Sequence, residues 1–204
     1  MKIYFIAGET SGDNHGAALM QALRRFQPDI KLLGRGGLQM KQIAGERLLD
    51  WSDQAGIVGL WEVVNHYGYF RREFEKTLNE IAAAKPDAVV LIDYPGFNLQ
   101  LARTLRSRSL GGKIIYYISP QVWAWNRARI PQMARSLDLM LCIFPFEAEL
   151  YGKSGPTDEL SVIEQLKTHG DLEKAGDRHY VSELAASVAA VSNADHHARI
   201  VQEN

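Results

Sequence analysis

The chain has 204 residues, 46% hydrophobic and 23% charged, the profile of a soluble globular protein with room for one sizeable α/β domain and too little for two. A net charge of −1 supplies no global field for nucleic acid, so no nucleic-acid partner is expected. Cys142 is the sole cysteine, which excludes an internal disulfide; inside Leu139-Met140-Leu141-Cys142-Ile143 it reads as a buried strand thiol in a reducing compartment.

Lys2 to Ala7 reads as a first strand, too short and too soon interrupted for a signal peptide, and no run in the chain reaches membrane-spanning length. Gly8 to Asp13 reads as a tight polar loop, followed by a helix from Asn14 to Phe26 with Ala17, Leu19, Met20 and Leu23 inward. That loop sets backbone N–H groups and two glycines at a helix N-terminus, which suits an anion or a sugar hydroxyl and equally suits a plain strand–helix connection. It is not Gly-x-Gly-x-x-Gly, so dinucleotide binding is not supported. Ile30 to Leu33 reads as a second strand and Leu38 to Ala44 as a short helix. Between them, Gly34-Arg35-Gly36-Gly37 suggests close backbone approach to something, with Arg35 facing an anion or solvent.

A long helix running to Ala84 carries Trp61, Val64, Tyr67, Tyr69, Phe70, Phe74, Leu78 and Ile81, partly at i, i+3/i+4 spacing, with Arg71, Arg72 and Lys76 beside them. Most such stripes are core; aromatic density next to basic residues also suits a surface that touches lipid head groups or acyl chains.

Residues 87–98 organise the chain. Val89 to Ile92 is aliphatic without polar alternation, as in a parallel strand buried on both faces. The run stops at Asp93, Tyr94-Pro95-Gly96 turns the chain, and Asn98 is placed to cap a helix from Leu99 to Arg108. Asp93 therefore belongs at the carboxyl end of a central strand, the edge where open α/β sheets bind ligands, although a carboxylate there can also serve only as a turn or helix cap. Lys113 to Ile118 is a further buried strand with Ser119-Pro120-Gln121-Val122-Trp123-Ala124-Trp125 as its exit. An arginine-rich helix (Arg127, Arg129, Arg135), a strand from Leu137 to Phe144 and a short helix opening at Pro145-Phe146-Glu147 complete the unit. Strand–helix alternation with polar exits predicts a doubly wound parallel α/β sheet, Rossmann-like, with right-handed crossovers.

Past Gly152 the composition changes. All aromatics but Tyr180 lie before it, and Lys153 to Thr157 is a linker by composition. Thr157 to His169 and Tyr180 to Val191 read as helices, Asp195 to Gln202 could form a third, and nothing there reads as a buried strand. The expected division is residues 1–151 as the Rossmann-like domain and 152–204 as a helical or partly disordered tail rather than a second α/β domain. His169, His179, His196 and His197 form no metal pattern with other ligands and read as surface residues; His15 and His66 read as polar lining.

Five motifs in this order resemble the amino-terminal half of the lipid-A-disaccharide synthase family: Ala7-Gly8-Glu9-Thr10-Ser11-Gly12-Asp13, Gly56-Ile57-Val58-Gly59-Leu60-Trp61-Glu62-Val63, Leu91 to Asn98, Tyr117 to Trp125, and Phe144-Pro145-Phe146-Glu147. The resemblance implies a GT-B glycosyltransferase that joins UDP-2,3-diacylglucosamine to 2,3-diacylglucosamine 1-phosphate, giving a β-1′,6 disaccharide and UDP. It implies work at the cytoplasmic face of the inner membrane, peripheral to it, without metal or cofactor, and a homodimer is one assembly it allows. Asp93 matches the family's proposed base. Glu9, Ser11, Gly12, Asn98, Ser119, Gln121 and Trp123 match positions lining the cleft, and Trp61, Val64 and Phe70 match a region that meets membrane or acyl chains.

In that family a second Rossmann domain holds the nucleotide, and no matching segment follows Gly152. One wall of a two-domain cleft cannot orient both substrates, so a truncated chain without full activity is expected. The alternatives are a non-catalytic lipid- or sugar-binding fragment and, less well supported, a generic nucleotide-binding α/β protein.

Overall fold

The computed structural model describes residues 1–51, 67–120, 127–143, 147, 157–158 and 201. Its strands are β1 (Lys2–Ala7), β2 (Lys31–Gly36), β3 (Leu48–Asp50), β4 (Ala88–Ile92), β5 (Lys113–Tyr117), β6 (Leu139–Leu141) and β7 (Thr157–Asp158). They form one sheet in the order β3-β2-β1-β4-β5-β6-β7, and every pairing is parallel. Helices α1 (Thr10–Phe26) and α2 (Leu38–Ala44) cover one face, where Leu19, Met20, Leu23 and Met40 pack on Phe5, Val90 and Tyr117. Helices α3 (Tyr67–Ala84), α4 (Pro95–Ser107) and α5 (Ile130–Ser136) cover the other, where Phe74, Leu78, Ile81, Leu101 and Leu105 pack on Tyr4, Val89 and Leu91. Both layers bury their apolar stripes, and all five residues of β4 are buried, as its unbroken aliphatic run requires. The chain is thus a doubly wound parallel α/β domain. Its order reverses between β1 and β4, which puts the topological switch point at those two strands.

Several boundaries differ from the sequence reading. Helix α1 begins at Thr10, not Asn14: the Asp13 N–H already donates to the Glu9 carbonyl at 2.9 Å, and Ser11 and Gly12 are helical. Strand β2 continues through Gly34-Arg35-Gly36, which were expected to be its exit loop. The close approach foreseen there is internal. Gly34 sits at φ +135°, and a Cβ would fall 2.0 Å from the Phe5 carbonyl oxygen of the neighbouring strand. Strand β3 was not expected; three residues carry too little pattern, and pairing with β2 makes them a strand. Strand β6 is shorter than Leu137 to Phe144, with Leu137 at the end of α5 and Phe144 outside the described residues. In the tail, Thr157 and Asp158 pair with Met140 and Leu141 as a strand rather than opening a helix. Val201 is helical and packs in the cluster beneath α1 and α2; the rest of the helices expected after Thr157 lie outside the described residues.

Asp13 explains how the first βα unit is locked to the second. Its buried carboxylate accepts the backbone N–H groups of Gly37 (2.9 Å), Gln39 (2.9 Å) and Met40 (3.0 Å), capping α2 from another helix. A carboxylate at a helix N-terminus satisfies orphan donors and opposes the helix dipole. Asp13→Ala is therefore expected to lower stability by about 1–3 kcal/mol, read as a lower urea midpoint with unchanged m-value; a change within experimental error would reject the role.

Candidate functional site

The parallel register brings three strand exits to one edge. Ala7 pairs with Ile92, and Ile92 with Tyr117, so the residues that follow them (Gly8-Glu9, Asp93-Tyr94 and Ile118-Ser119) are neighbours at the switch point. The exits are conformationally unusual. Asp93, Tyr94 and Ile118 have φ of 45°, 50° and 68°, the left-handed region that non-glycine residues avoid, a β-branched one most of all. Such strain persists only where surroundings over-determine it, and it concentrates at functional sites. Here the surroundings are a web of main-chain bonds. The Asp93 N–H donates to the Tyr117 carbonyl at 3.0 Å, and the Asp93 carbonyl accepts from Asn98 Nδ2 (2.8 Å) and the Tyr116 hydroxyl (2.7 Å). The Asp93 backbone is fixed on three sides while its carboxyl stays half-buried at the sheet edge.

Asn98 is not a helix cap. Helix α4 starts at Pro95, with Tyr94 as the residue before it, because proline suits a first helical position and its fixed φ is already helical. Asn98, fully buried in the first turn, also reaches back to the Ile92 carbonyl at 3.1 Å.

The Tyr94 ring lies against Gly8: a Cβ there would fall 2.5 Å from it. Tyr94 also stacks on Phe97 and meets Trp51 edge-on, while the Trp51 indole N–H donates to the Ala7 carbonyl at 2.7 Å. Trp51 and Tyr94 thus brace the exits of β1 and β4 from below. Neither was foreseen in the sequence, and only the Gly8–Tyr94 fit explains why that loop begins with glycine. Phe70 is half-buried against Phe97 in the same apolar layer.

The electrostatics single out Asp93. Burial first, and then the Glu9 carboxylate, push its carboxyl up to about 6, against the lowering effect of the Tyr94 backbone N–H. A carboxylate of that basicity can take a proton near neutral pH. Glu9 itself is exposed, at the N-cap of α1 beside exposed Ser11 and buried Gly12. Glu9→Gln is expected to return the Asp93 carboxyl toward the ordinary carboxylate range, since one of its two raising influences disappears. An NMR titration of the Asp93 side chain would show it, and an unmoved midpoint would remove Glu9 from the site.

Among the described residues, buried polar atoms without a hydrogen-bond partner include Asn98 Oδ1, Ser119 Oγ and His15 Nδ1. His15 stands edge-on to Tyr117 at the end of β5, and burial lowers its pKa, so the imidazole is neutral. An unpaired buried polar atom is costly enough to call for a ligand or water. Gln121, Trp123, Trp61 and Val64 lie outside the described residues. Arg35 does not belong to the site. It is buried beneath α3, paired with Glu73 and Glu80 at 2.6 Å each, with its guanidinium 5.2 Å from the Trp51 ring centre. Among the described residues no group of three or more His, Cys, Asp or Glu side chains could hold a metal ion, and no helix is long and apolar enough to cross a membrane.

A raised carboxyl and buried unpaired polar atoms at the switch point of a parallel sheet place this chain in the class of doubly wound α/β domains. A family model described as lipid-A-disaccharide synthetase matches residues 3–158, and the chain belongs to that family. It is 43% identical over 154 residues to the lipid-A-disaccharide synthase of Geobacter sulfurreducens, which covers 76% of this chain and 39% of the relative. The synthase of Koribacter versatilis is 41% identical over 177 residues, 82% of this chain and 46% of the relative. Lipid-A-disaccharide synthase 1 of Legionella pneumophila (strain Lens) is 40% identical over 154 residues, 76% of this chain and 40% of the relative. The chain thus spans less than half the length of these relatives. A second model, described as the DnaB-like helicase N terminal domain, matches residues 141–203 and shares residues 141–158 with the first.

Proposed function

We propose that the chain is the acceptor-side half of a glycosyltransferase of lipid A biosynthesis, with Asp93 as its general base. In this reading 2,3-diacylglucosamine 1-phosphate binds with its 6-hydroxyl at the Asp93 carboxylate. The hydroxyl oxygen attacks the anomeric carbon of UDP-2,3-diacylglucosamine, and its proton passes to Asp93. The anomeric carbon–phosphate oxygen bond breaks, and UDP leaves with the electron pair, completing the β-1′,6 disaccharide. Glu9, Ser11, Gly12, Asn98, Ser119, Gln121 and Trp123 orient the sugars. The orphan Ser119 Oγ and Asn98 Oδ1 are the described polar atoms whose pairing a sugar or water would complete. Trp61, Val64 and Phe70 face acyl chains, and the chain works at the cytoplasmic surface of the inner membrane.

The observation that carries this reading is the raised, half-buried Asp93 at the β1/β4 switch point. Its test is to incubate the 204-residue chain with both lipid sugars, alone and with the carboxy-terminal half of the Geobacter sulfurreducens relative supplied separately. The expected result is acceptor binding by the chain alone and disaccharide only in the mixture. Failure to bind acceptor and to form disaccharide in either arrangement rejects the proposal. Binding without turnover in both favours a non-catalytic lipid- or sugar-binding fragment.

A further inference from the structure

Gly8 and Tyr94 stand beside the two carboxylates of the site, one on each strand exit. Gly8 precedes Glu9 after β1, and Tyr94 follows Asp93 after β4. The two residues meet across the switch point. A Cβ on Gly8 would fall 2.5, 2.6 and 2.8 Å from three atoms of the Tyr94 ring, so the ring rests on bare backbone. Gly8 is not among the glycines with positive φ, so glycine is needed here for room rather than for conformation. The ring is anchored as well. Tyr94 stacks on Phe97 with centres 5.8 Å apart, and Phe97, 1% exposed, is set edge-on to Trp51, Phe70 and Phe74. The phenol end lies toward the charged side of the site: burial first, then Glu9 and Tyr69 of α3, hold its pKa above the ordinary range.

This anchoring falls on a backbone that needs it. Asp93 and Tyr94 are consecutive non-glycine residues in the left-handed region, a conformation kept only where the surroundings impose it. The main-chain bonds of Asp93 tie the β4 exit to β5 and to α4. The Tyr94 carbonyl accepts from the N–H groups of Phe97 (3.2 Å) and Asn98 (3.0 Å), which again are in α4. The ring contact with Gly8 adds what those bonds do not, a tie from the β4 exit to the β1 exit.

We infer that Tyr94 is a positioning residue: seated on Gly8, its ring clasps the two strand exits together and so fixes the aim of the Asp93 carboxyl and its distance from Glu9. Tyr94 acts through Asp93 and not on substrate. Burial and Glu9, the two influences that raise the Asp93 carboxyl, both depend on the exits staying closed. The effect of the clasp on turnover rests on the reading of Asp93 as general base; its effect on the Asp93 carboxyl does not.

NMR titration of the Asp93 side chain in the 204-residue chain tests the clasp, with turnover followed in the mixture with the carboxy-terminal half of the Geobacter sulfurreducens relative. Tyr94→Leu keeps apolar contact with Phe97 but has no ring to seat on Gly8, and Gly8→Ala displaces the ring. In both, the Asp93 midpoint is expected to fall from about 6 toward the ordinary carboxylate range. In a Glu9→Gln background the same substitutions should shift it less, because one of the two influences they weaken is already gone. Turnover should drop about 100-fold through kcat with little change in KM, the scale for misplacing a reacting group by about 1 Å. Tyr94→Phe keeps the ring and is expected to restore both readings. A ring that is merely structural would lower the thermal midpoint and leave the Asp93 titration in place, and that result overturns the inference; should Gly8→Ala fail to fold, Tyr94→Leu decides. A shift in Tyr94→Phe as large as in Tyr94→Leu would assign the effect to the hydroxyl and also overturns it. If the wild-type mixture forms no disaccharide, the general-base reading fails and the titration alone decides the clasp.

Discussion

Asp93→Asn is expected to cut whatever disaccharide the chain forms with its complementing half by about 10²–10⁴-fold, the range for removing a general base, while making the folded chain more stable. The stability sign follows from protonation. The carboxyl titrates near 3.8 when unfolded and at about 6 when folded, so the fold binds this proton more tightly than the unfolded chain does. Above pH 6 the carboxylate is charged in both states, and the fold bears the full penalty of burying it near Glu9. Below about pH 3.8 the group is neutral in both states and the penalty is gone. Asparagine carries no charge and tolerates the left-handed backbone at this position. Allowing for partial exposure, the charge-dependent gain should be about 1–2 kcal/mol at pH 7.5 and should fade as the pH drops from 6 toward 4. Thermal melts across that interval read the stability, and the lipid assay reads turnover. Unchanged turnover would end the case for Asp93 as the base, and a variant less stable at pH 7.5 would show that its carboxylate is structural.

The second large effect is expected behind the site, on β2. Arg35 is 1% exposed on β2 and is clamped beneath α3: Nη1 donates to Glu73, Nη2 and Nε donate to Glu80, and the Tyr4 hydroxyl also donates to Glu80. Burial alone would raise the Glu73 carboxyl, but hydrogen bonds from Lys76 and Arg35 outweigh it and hold it below the usual range. Removing the guanidinium leaves Glu73 without its buried partner and Trp51 without its cation. Arg35→Ala is therefore expected to cost about 3–5 kcal/mol, most of it through Glu73, because the Glu80 side chain is 43% exposed and screened. Chemical denaturation measures this directly. A loss under about 1 kcal/mol would mean that the cluster behaves like a surface ion pair. Since Arg35 braces Trp51, and Trp51 braces the β1 exit through the Ala7 carbonyl, the same variant should also loosen the strand end where Glu9 begins.

The sequence by itself determined the class of fold and the position of the key carboxylate. An uninterrupted aliphatic run bounded by Asp93 and the Tyr94-Pro95-Gly96 turn reads as a strand covered on both sides, and a strand of that kind delivers its terminal residue to the ligand edge of a parallel sheet. The family motifs that begin in described residues were legible for the same reason: they start at the exits of β1, β4 and β5, where side chains are chosen by what they must meet. Only the tertiary structure decided what Arg35, Asp13, Asn98 and Gly8 do. Each answers to a partner distant in sequence or hidden by the turn between them: Arg35 to α3, Asp13 to the amides of α2, Asn98 to the Ile92 and Asp93 carbonyls, and Gly8 to the Tyr94 ring. A glycine-flanked arginine on paper looks available for an external anion. In the folded chain its anions are internal carboxylates, because a buried charge is tolerable only when paired, and the pairing is written in the packing of a helix thirty-odd residues away.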